Sequence, residues 1–351
     1  MQQLYLHIGI HKTGTSYIQR CLSLNTDFLE KLECCYPSEE IIYNSGHHNL
    51  PWSYLNQPLV GSSMEPEDYQ RHFYQKLAKS PYKSFIISSE EFDRLESNNI
   101  DSLAQQLDKY GFQAKVIIYI RRQDRLLISL YQELIKHGET IHFKPWLASL
   151  IENGYNAYYC SCFNYLNLVR TWLDYFENVE VVVYDNLNLL DRDIFHFFLQ
   201  TCFGDNNDFS SLALPSERSI NPSLDLFFIE ILRRINSIYK TLPENNRKPY
   251  LKFRQEVLSS LTQWNFILEK VDINSIFGDF ERRVVLGQFH ATNQELLHQY
   301  RQLIANPYNA DELFEAQVSH GSPAAYPDLA EALSKVSIND WLELLVRAVN
   351  N

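Results

Sequence analysis

The chain has 351 residues, 45% of them hydrophobic and 21% charged, which is typical of a globular protein with a sizeable core. Its formal net charge of −12 argues against non-specific binding to nucleic acid or anionic membranes, so any anion site must be local. The sequence has no signal-peptide pattern, no apolar run long enough for a membrane span and no paired zinc spacing among its cysteines, so we expect a cytoplasmic protein with reduced cysteines.

Short apolar runs alternate with amphipathic segments over the first 205 residues. In chain order we predict strand 4–10, helix 14–24, an irregular segment 34–63, helix 65–79, strand 84–88, helix 100–110, strand 114–120, helices 123–136, 146–153 and 163–176, strand 179–184 and helix 192–202. Continuous apolar strands separated by helices indicate α/β architecture, a doubly wound and mainly parallel sheet flanked by helices.

No convincing strand follows residue 215, where helices are predicted at 224–239, 252–264, 293–304 and 339–349. No internal repeat, low-complexity tract or Gly/Ser linker interrupts the chain. We therefore expect a single domain over 1–351. Its α/β core (1–205) would carry the ligand site, and a mostly helical extension (206–351) would pack on that core.

The segment HKTGTS, residues 11–16, lies between the first strand and the first helix. Ligands of doubly wound sheets bind beyond the carboxyl ends of the strands, and a helix N-terminus there presents N–H groups to an anion. Gly14 permits close approach of the backbone, Thr15 and Ser16 add hydroxyl donors, and Lys12 adds a positive charge. This segment therefore predicts a site for a phosphate-like anion.

The same segment differs from a nucleotide P-loop in the place of its lysine, because Thr15 follows the second glycine and the lysine comes earlier, at Lys12. This order resembles the 5′-phosphosulfate loop of the sulfotransferase family, in which the lysine precedes the glycine. The resemblance implies a P-loop-like fold and the sulfuryl donor 3′-phosphoadenosine 5′-phosphosulfate (PAPS). It also implies that the donor is bound by His11, Lys12, Thr13, Gly14, Thr15 and Ser16.

A second motif, VIIYIRRQDRLLISLY, resembles the part of that family that holds the 3′-phosphate. Arg121 follows the strand and Ser129 lies eight residues later. A dianionic phosphate needs a guanidinium fork and a hydroxyl donor, which these two side chains would supply. We interpret Arg122 and Arg125 as solvated residues at the helix start. Segments 86–92, 179–187 (with Asp185), 219–224 and 290–300 resemble the bacterial branch more weakly, and the family's C-terminal Arg-Lys-Gly segment is absent.

Sulfuryl transfer needs a general base near the acceptor hydroxyl. The segment 34–63 contains Gly46-His47-His48, and Gly46-His47 resembles a pair found in some carbohydrate sulfotransferases. We expect this polar segment to be flexible and choose His47 first and His48 second as the base. Two exposed loop histidines without a role are the alternative. Glu90 and Glu91, at the end of the second strand, are the next candidates, and Glu90 could otherwise orient Lys12 or the acceptor.

These motifs predict a PAPS-dependent sulfotransferase that needs no metal, releases 3′,5′-ADP and acts on a hydroxyl or amine. The acceptor could be a saccharide, a glycolipid or a small metabolite, with a slight preference for a saccharide. Two alternatives stay open: a P-loop kinase with a displaced lysine, and a non-catalytic nucleotide-binding protein on the same fold. The sequence indicates no nucleic-acid partner and no oligomeric state.

Overall fold

The computed structural model describes residues 1–43, 46–155, 163–189, 193–205, 207–215, 224, 226–243, 251–252, 254–255 and 273–305. The strands are β1 (Gln2–Gly9), β2 (Cys34–Cys35), β3 (Ser84–Ser88), β4 (Phe112–Ile120) and β5 (Val179–Val183). The helices before β5 are α1 (Thr15–Leu24), α2 (Thr26–Lys31), α3 (Asn49–Tyr54), α4 (Pro66–Ala78), α5 (Ser97–Tyr110), α6 (Gln123–Lys136), α7 (Phe143–Glu152) and α8 (Tyr165–Leu173). After β5 come α9 (Tyr184–Leu189), α10 (Ile194–Phe203), α11 (Leu226–Thr241) and α12 (Asp279–Tyr300).

The five strands form one parallel sheet in the order β2-β3-β1-β4-β5. β1 is central, with Leu6 paired to Ile87 on β3 and to Val116 on β4. The chain leaves β1 toward β2 on one side of the sheet, whereas it passes from β4 to β5 on the other side. Ligands of open parallel sheets bind where the direction reverses, which here is beyond the carboxyl ends of β1 and β4.

The predicted mixed α/β class is confirmed, since helices cover the sheet. Right-handed crossovers place connections that run in opposite directions on opposite faces. On one face, α1 and α10 bury a shared apolar cluster with the strands, which includes Ile18, Leu22, Ile117, Tyr119, Val182, Phe195 and Phe198. On the other face, α5 and α8 contact each other and β4. Each fully buried Ile, Leu or Phe of such a core stabilises the fold by about 1.5–3 kcal/mol.

Residue contacts group the chain into two compact units. The first consists of 1–122, 156–220 and 286–315 and holds the whole sheet. The second consists of 123–155, 221–285 and 316–351, and within it α11 packs against α6. These boundaries differ from the predicted division at residue 205, and the single-domain organisation stays a prediction.

Most predicted elements before residue 205 agree with the structure, but the irregular segment does not. Residues 34–63 contain β2, a 3₁₀ turn at Ser38–Glu40 and α3, so that prediction is wrong there. The predicted helix 293–304 overlaps the C-terminal end of the longer α12 and the 3₁₀ turn Arg301–Leu303 that follows it. The predicted helix 339–349 and most of 252–264 lie outside the described residues. Among the described helices, none is both long and apolar enough to cross a membrane.

Candidate functional site

The connection between β1 and α1, residues 10–14, is a tight turn that we call the β1 turn. The Thr13 hydroxyl donates to the Ile10 carbonyl at 2.6 Å across it. Lys12 and Gly14 both have positive φ, 68° and 83°. A left-handed backbone costs a non-glycine residue about 1–2 kcal/mol, and such strain concentrates at functional sites. The turn therefore holds Lys12, the lysine of the predicted anion site, in a strained backbone conformation.

Gly14 faces the side chains of Tyr184, directly after β5, and Ile194, at the start of α10. A Cβ at Gly14 would lie 2.6 Å from Ile194 Cδ1 and 3.0 Å from Tyr184 Cε2. At Gly9 a Cβ would lie 2.0 Å from Thr15 Oγ1. A Cβ at either glycine would therefore force neighbouring side chains to shift.

The N-terminus of α1 is arranged to meet an anion. Its N-cap is Gly14, which makes no side-chain cap, and the first turn carries no acidic residue. The first N–H groups of any helix lack intrahelical acceptors and carry partial positive charge. Thr15 Oγ1 is buried and has no hydrogen-bond partner within the described part of the chain. A phosphate or sulfate oxygen would supply the missing acceptors, so the turn fits such a group.

Arg121 ties the β1 turn to the ends of β4 and β5. Its Nη1 donates to the Lys12 carbonyl at 2.9 Å, and its guanidinium lies over the Tyr184 ring, 5.1 Å from the centroid. Its Nε is 3.7 Å from Asp185 Oδ1. Asp185 is 4% exposed, and its other oxygen accepts from the Arg122 backbone N–H at 2.7 Å. Three strand ends are therefore joined at the predicted anion site.

Two other residues of the second motif also carry predictions from the sequence. Ser129 is on α6 in the second unit, so its predicted pairing with Arg121 stays a prediction. Arg122 is only 7% exposed, so the interpretation of Arg122 as a solvated residue is wrong. The sequence could not reveal this, because the residue is buried by tertiary packing at the end of β4.

His47 is fully buried, so the alternative of two exposed loop histidines is wrong. Its Nδ1 accepts from the Ser88 backbone N–H at 3.2 Å. Its Nε2, which must then carry the proton, donates to the Pro37 carbonyl at 3.0 Å. Burial lowers the pKa of His47 to about 4, so the ring is neutral at neutral pH. Both nitrogens have structural partners that link β3 to the segment after β2.

His48 is 7% exposed and lies beside the first glutamate after β3. Its Nδ1 is 2.8 Å from Ser89 Oγ and 3.9 Å from Glu90 Oε2, and its ring is 5.9 Å from that of Trp52. A Cβ at Gly46 would lie 2.3 Å from His48 Nε2, so the glycine makes room for this ring. His48 is thus a buried neighbour of a candidate base.

The 3₁₀ turn Glu90–Arg94 brings three carboxylates to the end of β3. Glu90 Oε2 accepts from Gln19 Nε2 at 3.2 Å. Burial opposes ionisation of Glu91, but hydrogen bonds from Trp52 and Arg94 outweigh it and lower the Glu91 pKa.

The third carboxylate, Asp93, behaves differently from Glu91. Burial raises the pKa of Asp93 to about 7. His11, predicted to bind the donor, has its Nε2 3.9 Å from Glu91 Oε1. The β1 turn therefore adjoins this acidic turn, and the donor role of His11 stays a prediction.

Sequence reasoning missed Gln19, Trp52 and Tyr184. Gln19 had a usable signal, since it is a polar residue four positions after Thr15 on the buried side of an amphipathic helix. Trp52 and Tyr184 had none, because their contacts with Glu91 and Arg121 depend on the fold. Among the described residues, no group of three or more His, Cys, Asp or Glu side chains is arranged to hold a metal ion.

Comparisons with known proteins give neither a family nor a function. No family model matches the chain, and no solved structure matches it. An uncharacterized protein of Archaeoglobus fulgidus is 26% identical over 223 residues, which are 61% of this chain and 53% of that protein. The chain thus spans about half the length of the relative that it matches.

Proposed function

We propose that this protein transfers a sulfuryl group from PAPS to a hydroxyl or amine acceptor, on a P-loop-like sulfotransferase fold. The observation that carries the proposal is the 2.9 Å hydrogen bond from Arg121 Nη1 to the Lys12 carbonyl. It joins two motifs that are 109 residues apart in the chain. Each motif was predicted to bind one of the two anionic ends of the same donor.

The groups around the β1 turn suit a donor with a 5′-phosphosulfate and a 3′-phosphate. Lys12 and the N–H groups of the first turn of α1 bind the phosphosulfate and stabilise the negative charge that develops on its bridging oxygen. Arg121 binds the 3′-phosphate, as the resemblance implies. When bound, the donor supplies the sulfur–oxygen bond that breaks as the acceptor oxygen bonds to sulfur and 3′,5′-ADP leaves.

Of the candidate bases, we favour Glu90, with His48 second. His47 was the first choice from the sequence, but both of its ring nitrogens are occupied and burial lowers its pKa to about 4. The Glu90 side chain is 20% exposed and stands at the carboxyl end of β3, next to central β1. Its carboxylate accepts the proton that the acceptor hydroxyl loses on attack.

A saccharide, free or as part of a glycolipid, suits the neighbourhood of Glu90 as an acceptor. Tyr43 is 63% exposed, and its ring centroid lies 6.1 Å from that of Trp52. Aromatic faces pack on sugar rings, while carboxylates accept hydrogen bonds from sugar hydroxyls.

Calorimetric titration tests the proposal. We expect 3′,5′-ADP to bind with micromolar affinity without added metal. Arg121→Ala should weaken this binding by about 1.5–3 kcal/mol, the range for a hydrogen bond to a charged group. Arg71→Ala removes a guanidinium that is 58% exposed and serves as the matched control without effect. Lys12→Ala should abolish release of 3′,5′-ADP from PAPS while retaining most of the affinity for 3′,5′-ADP.

The same titration separates the alternatives. Binding of ATP with Mg²⁺ but not of 3′,5′-ADP would refute the sulfotransferase proposal in favour of a kinase. Asp185 argues against that outcome, because its buried carboxylate already holds the Arg122 N–H and lies beside Arg121. Binding of neither nucleotide would support a non-catalytic protein on this fold.

A further inference from the structure

Gln19 is a polar residue on the buried face of α1. It is 2% exposed, and its neighbours on that helix, Ile18, Cys21 and Leu22, are fully buried and apolar. Thr15, at the first position of the helix, is four residues earlier and therefore on the same face. A buried amide costs stability unless it is hydrogen-bonded, so its partners explain why it is there.

The Gln19 amide reaches the end of β3. Its Nε2 is 3.2 Å from Glu90 Oε2 and 3.3 Å from Ser88 Oγ. A carboxylate oxygen only accepts hydrogen bonds, so the amide nitrogen and not its oxygen must face Glu90. The contact is thus a directional hydrogen bond from the helix to the candidate base.

The partners of Gln19 are themselves held in place. Ser88 Oγ is 2.8 Å from Nδ1 of His7, which is fully buried and whose pKa burial lowers to about 3, so it stays neutral. The Ser88 backbone makes two hydrogen bonds with His47. Its N–H donates to His47 Nδ1 at 3.2 Å, and its carbonyl accepts from the His47 backbone N–H at 2.8 Å. This end of β3 therefore offers a fixed support for the amide.

We propose that Gln19 is a positioning residue that holds the Glu90 carboxylate in register with the first turn of α1. Thr15 and Gln19 are separated by about 6 Å of rigid helix, at 1.5 Å per residue. The helix whose N-terminus binds the donor thereby sets the distance from the donor to the base. The inference rests on the proposed function, and it assigns to α1 a second role at the same site.

Exchanging the side chains of Gln19 and Glu90 tests their contact by protein stability, without an activity assay. Gln19→Glu places two carboxylates against each other and should lower the midpoint of thermal unfolding by about 2–4 °C or more. Adding Glu90→Gln restores an amide–carboxylate pair with reversed polarity and should recover most of that loss. Gln70→Glu, at a buried glutamine of α4 that is 8% exposed, is the matched control, which Glu90→Gln should not rescue.

Kinetics test the positioning role, with release of 3′,5′-ADP from PAPS as the readout and water as the acceptor. Gln19→Met keeps the volume and removes the amide. It should lower kcat about 10- to 100-fold, the range for a misplaced catalytic group, with the affinity for 3′,5′-ADP unchanged within about twofold. In the Glu90→Gln background the same substitution should have almost no further effect, because its action passes through Glu90.

Three results would overturn the inference. Additive effects of Gln19→Glu and Glu90→Gln on thermal unfolding would mean that the two side chains do not interact. If Gln19→Met lowered kcat equally in the wild type and in the Glu90→Gln background, Gln19 would have only a structural role. Full activity of Glu90→Gln would show that Glu90 is not the base, so Gln19 would have no base to position. In each case wild-type binding of 3′,5′-ADP would leave the proposed function standing, whereas its absence would refute that function directly.

Discussion

Replacing Gly14 by alanine tests both the packing of the β1 turn and its role as an anion site. Gly14 has φ 83°, and a left-handed alanine costs about 1–2 kcal/mol. Its Cβ would lie 2.6 Å from Ile194 Cδ1 and 3.0 Å from Tyr184 Cε2, and overpacking of this kind costs about 1–3 kcal/mol. We therefore expect Gly14→Ala to lower the free energy of unfolding by about 2–5 kcal/mol.

Gly111→Ala is the matched control. Gly111 has φ 76°, but a Cβ there would meet no atom within 4 Å, so only the backbone cost of about 1–2 kcal/mol applies. Urea unfolding measures both variants, and calorimetry with 3′,5′-ADP measures the site. We expect at least tenfold weaker binding for Gly14→Ala and unchanged binding for Gly111→Ala. Equal stability losses would refute the packing argument, and unchanged binding by Gly14→Ala would refute the anion site.

Two further predictions concern the pH dependence of stability, measured by urea unfolding. Burial lowers the pKa of His47 to about 4 from 6.5, so its contribution to stability is lost as pH falls from 6.5 toward 4, by about 1.4 kcal/mol per pH unit. His47→Gln should remove this part of the slope, and an unchanged slope in His47→Gln would contradict the assignment. Burial raises the pKa of Asp93 from 3.8 to about 7. The contribution of Asp93 to the free energy of unfolding is therefore lost as pH rises from 3.8 through 7. Asp93→Asn should therefore be more stable than the wild type at pH 8, whereas the exposed Asp208→Asn should show no gain, and a loss in Asp93→Asn would refute the sign.

The sheet was predictable where its strands are long and apolar. The predicted strand 114–120 covers all but the first two residues of β4 (Phe112–Ile120), and 84–88 agrees with β3. The edge strand β2 was missed, because Cys34–Cys35 is too short to show any periodicity and pairs only through β3. The order of the strands was not predictable either, since local pattern carries no information on which strands become neighbours.

The candidate site, like the sheet, was predictable only in part. The β1 turn was predictable, because glycines, hydroxyl residues and a lysine between a strand and a helix form a local pattern. The surroundings of His47 were not, because its burial depends on Pro37 and Ser88, which are distant in sequence. Arg122 was misread for the same reason.

The amino-acid sequence by itself determined the α/β class, the β1 turn with Lys12 and Gly14, and the presence of Arg121 after a central strand, because each follows from residues close together in the chain. Only the tertiary structure decided which side chains meet. It joined Arg121 to the Lys12 carbonyl, buried His47 as a structural residue and set Gln19 against Glu90. Strand order and helix docking bring these residues together, and both arise from packing free energy summed over the whole core.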